Sequence, residues 1–208
     1  MQTILVNISV ILFGYLVGSI PFAFIVGRAK GVDMTKKARN GARGASLTWR
    51  KVGKIYGVIV GVMDISKGFA SVIIAETFSG NPLVVVLAGL AAIIGHDWSL
   101  YMRFTGGKGA ATTAGNLFYL LPIEFVISFF VILLPLYFTR KKEHFIFPGT
   151  KKQFKTSNFF SGIFFSVIFV VALLREKAFI LSFSPIIYSI PMFLKDCEIK
   201  HEMKKGKK

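Results

Sequence analysis

The sequence is poor in the residues that staple small domains or build metal sites. One cysteine, Cys197, excludes an internal disulfide and a cysteine-rich metal centre. The three histidines, His96, His144 and His201, lie far apart, and neither a His-Glu-x-x-His pair nor paired cysteines accompany them. No metal and no cofactor is therefore expected. There is no Gly-x-Ser-x-Gly elbow, and so no sign of a serine hydrolase. Acidic residues are scarce, with 10 Asp plus Glu against 26 Lys plus Arg and a formal net charge of +16. These cations are parcelled out between apolar runs, which argues against a long basic nucleic-acid domain. No internal repeat is found, and no low-complexity tract beyond the lysine-rich end.

What is abundant is apolar. Hydrophobic residues make up 53% of the 208, Phe alone contributes 22, and the mean hydropathy is +0.62. So apolar and so basic a chain reads as an all-α integral membrane protein with basic loops. The first apolar run, Thr3–Ile25, can cross a hydrocarbon core of roughly 30 Å. It lacks a basic n-region and a small-residue cleavage site, so a retained helix is expected rather than a signal peptide. Further runs cover Ile55–Phe78, Pro82–Ile94 with an extension toward Phe104, Phe159–Leu174 and Ala178–Leu194. Ala110–Phe138 would be about 43 Å long as one helix, more than one crossing needs. Pro122 near its middle favours a break.

Charge decides between the two layouts. Nine Lys or Arg lie in Arg28–Lys54, six in Arg140–Lys155 and six in Lys195–Lys208, whereas the connections at Ser79–Asn81 and Pro122 carry almost none. All three basic segments fall on the cytoplasmic side if Ala110–Phe138 crosses twice. The expectation is a cell (inner) membrane protein of about seven transmembrane helices, several of them short, with the N-terminus outside and the C-terminus inside. Residues 1–194 form one polytopic domain and 195–208 a basic cytoplasmic tail. Topology and anionic lipid head groups account for most of the cations, at about 1 kcal/mol each near the surface.

Three places exceed what topology needs. Gly18-Ser19-Ile20-Pro21 ends the first run, and the loop after it reads Asn40-Gly41-Ala42-Arg43-Gly44-Ala45-Ser46 with Arg50 beyond. Closely spaced glycines let backbone N–H groups converge on a phosphate, although a flexible basic linker reads the same way. Gly95-His96 precedes Phe104-Thr105-Gly106-Gly107-Lys108-Gly109-Ala110-Ala111-Thr112. Here glycines allow close approach to an anion, Lys108 offers a compact cation and Thr112 a hydroxyl; the plain alternative is a turn with a snorkelling lysine. The P-loop spacing is absent. Third, Asp64 and Lys67 lie inside an apolar run, three residues apart and so on one helix face. They form either a structural ion pair or a site in which Asp64 orients Lys67 toward an anionic ligand.

Taken in order, these residues resemble the bacterial acyl-phosphate:glycerol-3-phosphate acyltransferases. The likeness runs clearly over about residues 14–115 and is strongest at Phe104–Thr112. The resemblance implies a small membrane enzyme of seven helices. It would transfer a fatty acyl group from acyl phosphate to glycerol 3-phosphate to give lysophosphatidate, for phospholipid synthesis. Its partners would be those two substrates and membrane lipids; the oligomeric state is left open. The first-loop pattern is kept at Gly41, Gly44, Ala45 and Arg50. Asn40 stands for a serine, Ala42 and Leu47 for asparagines, and Ser46 for a threonine. Near the end Lys195 stands where the family has a histidine.

On this expectation Ser19, Asn40, Gly41, Gly44, Ser46, Arg50, Lys67, Gly106, Gly107, Lys108, Gly109 and Thr112 bind the substrate phosphates at the cytoplasmic face, with Asp64 in support. Lys108 also serves catalysis. His96, or an anion of the substrates, takes the hydroxyl proton. The rival classes are a non-catalytic membrane protein that binds anionic lipid or phosphate, and a small transporter; the missing repeat weighs against the transporter.

Overall fold

The computed structural model of the chain describes residues 2–34, 44–138, 165–172 and 179–205. Among them every regular element is helical and there is no strand. The helices are α1 (Gln2–Ser19), α2 (Phe22–Ala29), α3 (Ala45–Lys51), α4 (Lys54–Ser79), α5 (Pro82–Asp97), α6 (Ala110–Leu120), α7 (Pro122–Phe138) and α8 (Phe179–Lys205). A 3₁₀ turn covers Leu100–Met102, and residues 165–172 are helical. Three stretches, Gln2–Ala29, Lys54–Ser79 and Pro82–Met102, are long and apolar enough to cross a membrane. Apolar side chains such as Leu5, Leu12, Ile55, Val62 and Phe130 face outward, as lipid-facing residues do. The described residues are those of an all-helical membrane protein.

Proline sets two of the breaks. The long apolar stretch after Ala110 does divide at Leu121–Pro122, giving α6 and α7. The first run, expected to continue to Ile25, instead breaks at Ile20–Pro21. Proline has no N–H to donate and drives the residue before it out of helical geometry. The Phe24 N–H, which a continuous helix would give to Ile20, bonds the Pro21 carbonyl at 3.0 Å. At the far end α8 tolerates Pro185 and Pro191 and runs past Leu194 through Lys205, so the described part of the expected tail is helix. The basic loop at 140–155 lies outside the described residues.

α5 packs against α1, α4, α6 and α8. Two close crossings make this possible. Gly14 and Gly18 of α1 lie on the backbone of Ala88 and Ala92 of α5, a small-residue seam with spacing of one helical turn. Gly68 of α4 meets the Thr112 carbonyl of α6, and Gly115 of α6 meets the Ile65 carbonyl of α4. Apolar packing completes the bundle: Val10, Val72, Val85 and Ala88 join α1, α4 and α5. Ile93, Leu117, Leu121, Ile168 and Tyr188 fill the space among α5, α6, residues 165–172 and α8.

The inner face of α4 is unlike a lipid-facing stripe. Its buried residues are Gly57, Val60, Asp64, Lys67, Gly68, Ser71, Val72 and Ala75, at helical spacing. The two charges are thus inside the bundle, where pairing makes their burial tolerable.

Candidate active site

A cavity of about 500 Å³ opens where the α1–α2 break, the start of α3, the middle of α4 and the end of α5 converge. The loop of residues 99–107 closes one side of it. Of the residues singled out in the sequence, Ser19, Gly44, Asp64, Lys67, His96, Gly106 and Gly107 line it.

Lys67 and Asp64 form its charged floor. Lys67 Nζ lies 2.9 Å from Asp64 Oδ1, with both side chains almost wholly buried. The same ammonium donates to the Ile20 carbonyl at 3.1 Å and sits 5.6 Å from the centre of the Phe22 ring. The Pro21 break is what makes the Ile20 carbonyl available. His96 continues the chain of contacts, its Nδ1 lying 3.5 Å from Asp64 Oδ1. Its Nε2 faces Gly107, where a methyl group would collide with it, and lies about 4.0 Å from where a Gly44 methyl would be. Glycine at 107 is what leaves room for that nitrogen; at Gly44 a methyl would make only an ordinary contact. The Gly107 N–H bonds the His96 carbonyl at 3.1 Å, tying the glycine loop to the end of α5.

Ser19 has a joining role. Its hydroxyl donates to the Tyr15 carbonyl at 2.8 Å, and its own carbonyl accepts from Ser99 Oγ at 2.5 Å. It thereby fastens α1 to the loop after α5.

The remaining sequence candidates sit elsewhere. Lys108 is not among the residues that line the cavity and pairs with Asp196 of α8 at 2.5 Å. Burial holds the Lys108 ammonium below the usual lysine range, with the bond to Asp196 pulling the other way. Gly109 begins α6 with a left-handed φ of 67°. The Thr112 hydroxyl is buried at the α4–α6 crossing and has no hydrogen-bond partner among the described residues. Ser46 lies in the first turn of α3, and Arg50 is exposed near its end; neither lines the cavity. Asn40 and Gly41 lie outside the described residues. Among the described residues no group of three or more His, Cys, Asp or Glu side chains is placed to hold a metal.

Sequence reasoning passed over several neighbours. Arg103 lines the cavity with φ 52°, next to Phe104 at 57°. Left-handed conformations at two successive non-glycine residues cost of order 1–3 kcal/mol each and mark a held turn. A lone Arg between Met102 and Phe104 was the only available hint. Asp97 is fully buried behind the glycine loop, with neither carboxylate oxygen hydrogen-bonded among the described residues. Leu47, aligned with an asparagine in the resemblance above, places an apolar side chain on the wall.

Comparison with known proteins gives the fold and the family. The family model described as glycerol-3-phosphate acyltransferase matches residues 8–194. Glycerol-3-phosphate acyltransferase 2 of Moorella thermoacetica is 41% identical over 127 residues, covering 61% of this chain and 64% of the relative. The chain thus spans just under two thirds of that relative's length. A second relative of the same name, from Thermotoga maritima, is 32% identical over 171 residues, covering 80% of this chain and 87% of its own. A crystal structure of PlsY, an integral membrane glycerol 3-phosphate acyltransferase in its glycerol 3-phosphate form, superposes with a TM-score of 0.73. Its identity is 27%, over 96% of this chain and 92% of that one. The lysophosphatidic acid form of PlsY gives 0.71 at 26% identity. The chain belongs to the glycerol-3-phosphate acyltransferase family.

Proposed function

We propose that the chain transfers a fatty acyl group from acyl phosphate to glycerol 3-phosphate, releasing lysophosphatidate and inorganic phosphate for phospholipid synthesis. The observation that carries this reading is the buried Lys67–Asp64–His96 series opening on a cavity rimmed by Gly44, Gly106 and Gly107. Acyl phosphate is already an activated mixed anhydride, so the site needs no covalent nucleophile. It must hold two anionic groups and align an acceptor hydroxyl with the carbonyl carbon, a task in which proximity supplies much of the rate.

The roles then divide as follows. Lys67 and Arg103 bring cationic charge to the cavity, where it stabilises the oxyanion that forms at the carbonyl. Lys108 and Arg50 supply phosphate-binding charge at its margins. Asp64, 3.5 Å from His96 Nδ1, favours the proton on that nitrogen and so leaves Nε2 with a lone pair toward the cavity. As the acceptor oxygen attacks, its proton passes to His96 Nε2. The new carbon–oxygen ester bond forms, the bond from carbon to the phosphate oxygen breaks, and phosphate departs with the electron pair. The alkyl chain lies between helices in the lipid. In the membrane the chain crosses about seven times, with the N-terminus outside and the site at the cytoplasmic face of the cell membrane.

The test is direct. The chain purified in detergent is given palmitoyl phosphate and radiolabelled glycerol 3-phosphate. Labelled lysophosphatidate is expected from the wild type. His96→Asn should lower the rate by about 10²-fold or more, the span typical of a lost general base. Leu47, apolar where the resemblance has asparagine, favours a second reading: a lipid or phosphate binder without turnover. Folded protein that binds phosphate yet makes no product would establish that reading instead.

A further inference from the structure

The C-terminal part of α8 brings one carboxylate, Asp196, onto Lys108 of the glycine loop and holds a second, Glu198, beside it. Asp196 is shared by two lysines: Oδ1 meets Lys108 Nζ at 2.5 Å, and Oδ2 meets Lys200 Nζ at 2.5 Å. Asp196 is nearly buried, whereas Lys200 is half exposed. The residue before it, Lys195, fully buried, bonds both oxygens of Glu198 at 2.9 and 3.0 Å. Glu198 also accepts from Trp98 Nε1 at 2.9 Å, which anchors this turn of α8 on the loop after α5. The anchor at Glu198 and the Asp196 contact lie within one turn of the same helix. The carboxylate is therefore held against Lys108 by a fixed scaffold, not by a loose side chain.

We propose that Asp196 is an internal counter-anion that occupies Lys108 and is displaced when a phosphate group binds there, so that Asp196 sets the chain's affinity for phosphate substrates. The proposal rests on the reading of Lys108 as a phosphate-binding cation. A carboxylate at 2.5 Å and a phosphate oxygen compete for the same N–H donors. Affinity for the incoming anion is then reduced by the fraction of molecules in which Lys108 is engaged. Asp196 is thus a specificity-determining residue. It favours ligands whose phosphate carries enough charge to evict a carboxylate.

The experiment titrates the detergent-purified chain by calorimetry with inorganic phosphate, with glycerol 3-phosphate and with a long-chain alkyl phosphate, no acyl donor being present. Asp196→Asn should tighten binding of at least one of them by about fivefold. Tightening confined to glycerol 3-phosphate assigns Lys108 to the acceptor, and tightening confined to alkyl phosphate assigns it to the donor. Asp196→Glu keeps the charge and should stay within about twofold of the wild type. The gain should persist in about 0.5 M salt, because a direct displacement is not screened as a distant field is. Lys200→Met removes one lysine that competes with Lys108 for Asp196 and should weaken binding about twofold. It also serves as the test if Asp196→Asn fails to fold. Equal or weaker binding by folded Asp196→Asn, a gain abolished by salt, or unchanged binding by Lys200→Met overturns the proposal. Binding needs no turnover, so loss of the acyl-transfer reading would be seen separately as binding without product.

Discussion

Lys67→Met removes one half of a buried ion pair and leaves the other in place. Asp64 and Lys67 are 4% and 3% exposed, so water cannot replace the lost partner. Stranding a buried charge in this way costs about 3–5 kcal/mol. His96 Nδ1, 3.5 Å from the same carboxylate oxygen, offsets part of that loss. The expected cost is therefore near the lower end, about 3 kcal/mol. Asp64→Asn should cost less, about 1–2 kcal/mol, because Lys67 keeps the Ile20 carbonyl and the Phe22 ring. The double variant should be more stable than the two single losses predict, with a coupling of about 2 kcal/mol. For a chain of this size 1 kcal/mol moves the midpoint by about 2–4 °C, so Lys67→Met should melt about 6–12 °C below the wild type in detergent. Midpoints within a degree of each other, or strictly additive losses, would refute the claim that the pair is a buried unit. A lipid- or water-facing pair would give that result.

Gly107→Ala should cut kcat by about 10-fold or more with a folded protein, because the added methyl runs into His96 Nε2; unchanged kcat would mean that nitrogen is not used. Gly18→Ala presses a methyl onto the Ala92 backbone of α5 and should cost about 1–3 kcal/mol, read as a lower melting midpoint. The alkaline side of kcat/KM should fall below the ordinary lysine range, because burial lowers the Lys108 pKa and deprotonation removes a phosphate-binding cation. The groups facing Lys108 are Asp196 and Lys200 on α8 and Asp97 on α5; Asp196 and Asp97 raise its pKa and Lys200 lowers it. Removing Asp196 should therefore move the fall to lower pH, and Lys108→Arg should move it out of range; a limb unaffected by either change would assign it to another group.

The site was legible where its geometry is local. Asp64 and Lys67 are three residues apart on one helix, so their pairing follows from helical periodicity alone. Pro122 marks the α6–α7 break for the same kind of reason. Pro21 carried the same signal, yet the hydropathy of Phe22–Ile25 argued for an unbroken helix. The proline decided the matter, and the Ile20 carbonyl it released became a ligand of Lys67.

Contacts between distant segments follow a different logic. Lys108 and Asp196 are 88 residues apart, and their meeting depends on where α8 crosses α5 and α6. That crossing is fixed by Tyr188, Ile93 and Leu117 in the core, not by any pattern around Lys108. Thr112 fails as a cavity residue for a related reason. Its place in the first turn of α6 is local, but the backbone contact between Gly68 and its carbonyl aims that part of α6 at α4. Motif spacing thus predicts which chemical groups a segment offers, and helix packing decides which of them reach the cavity. In this chain packing gives His96 and Lys67 to the cavity and gives Lys108 to Asp196.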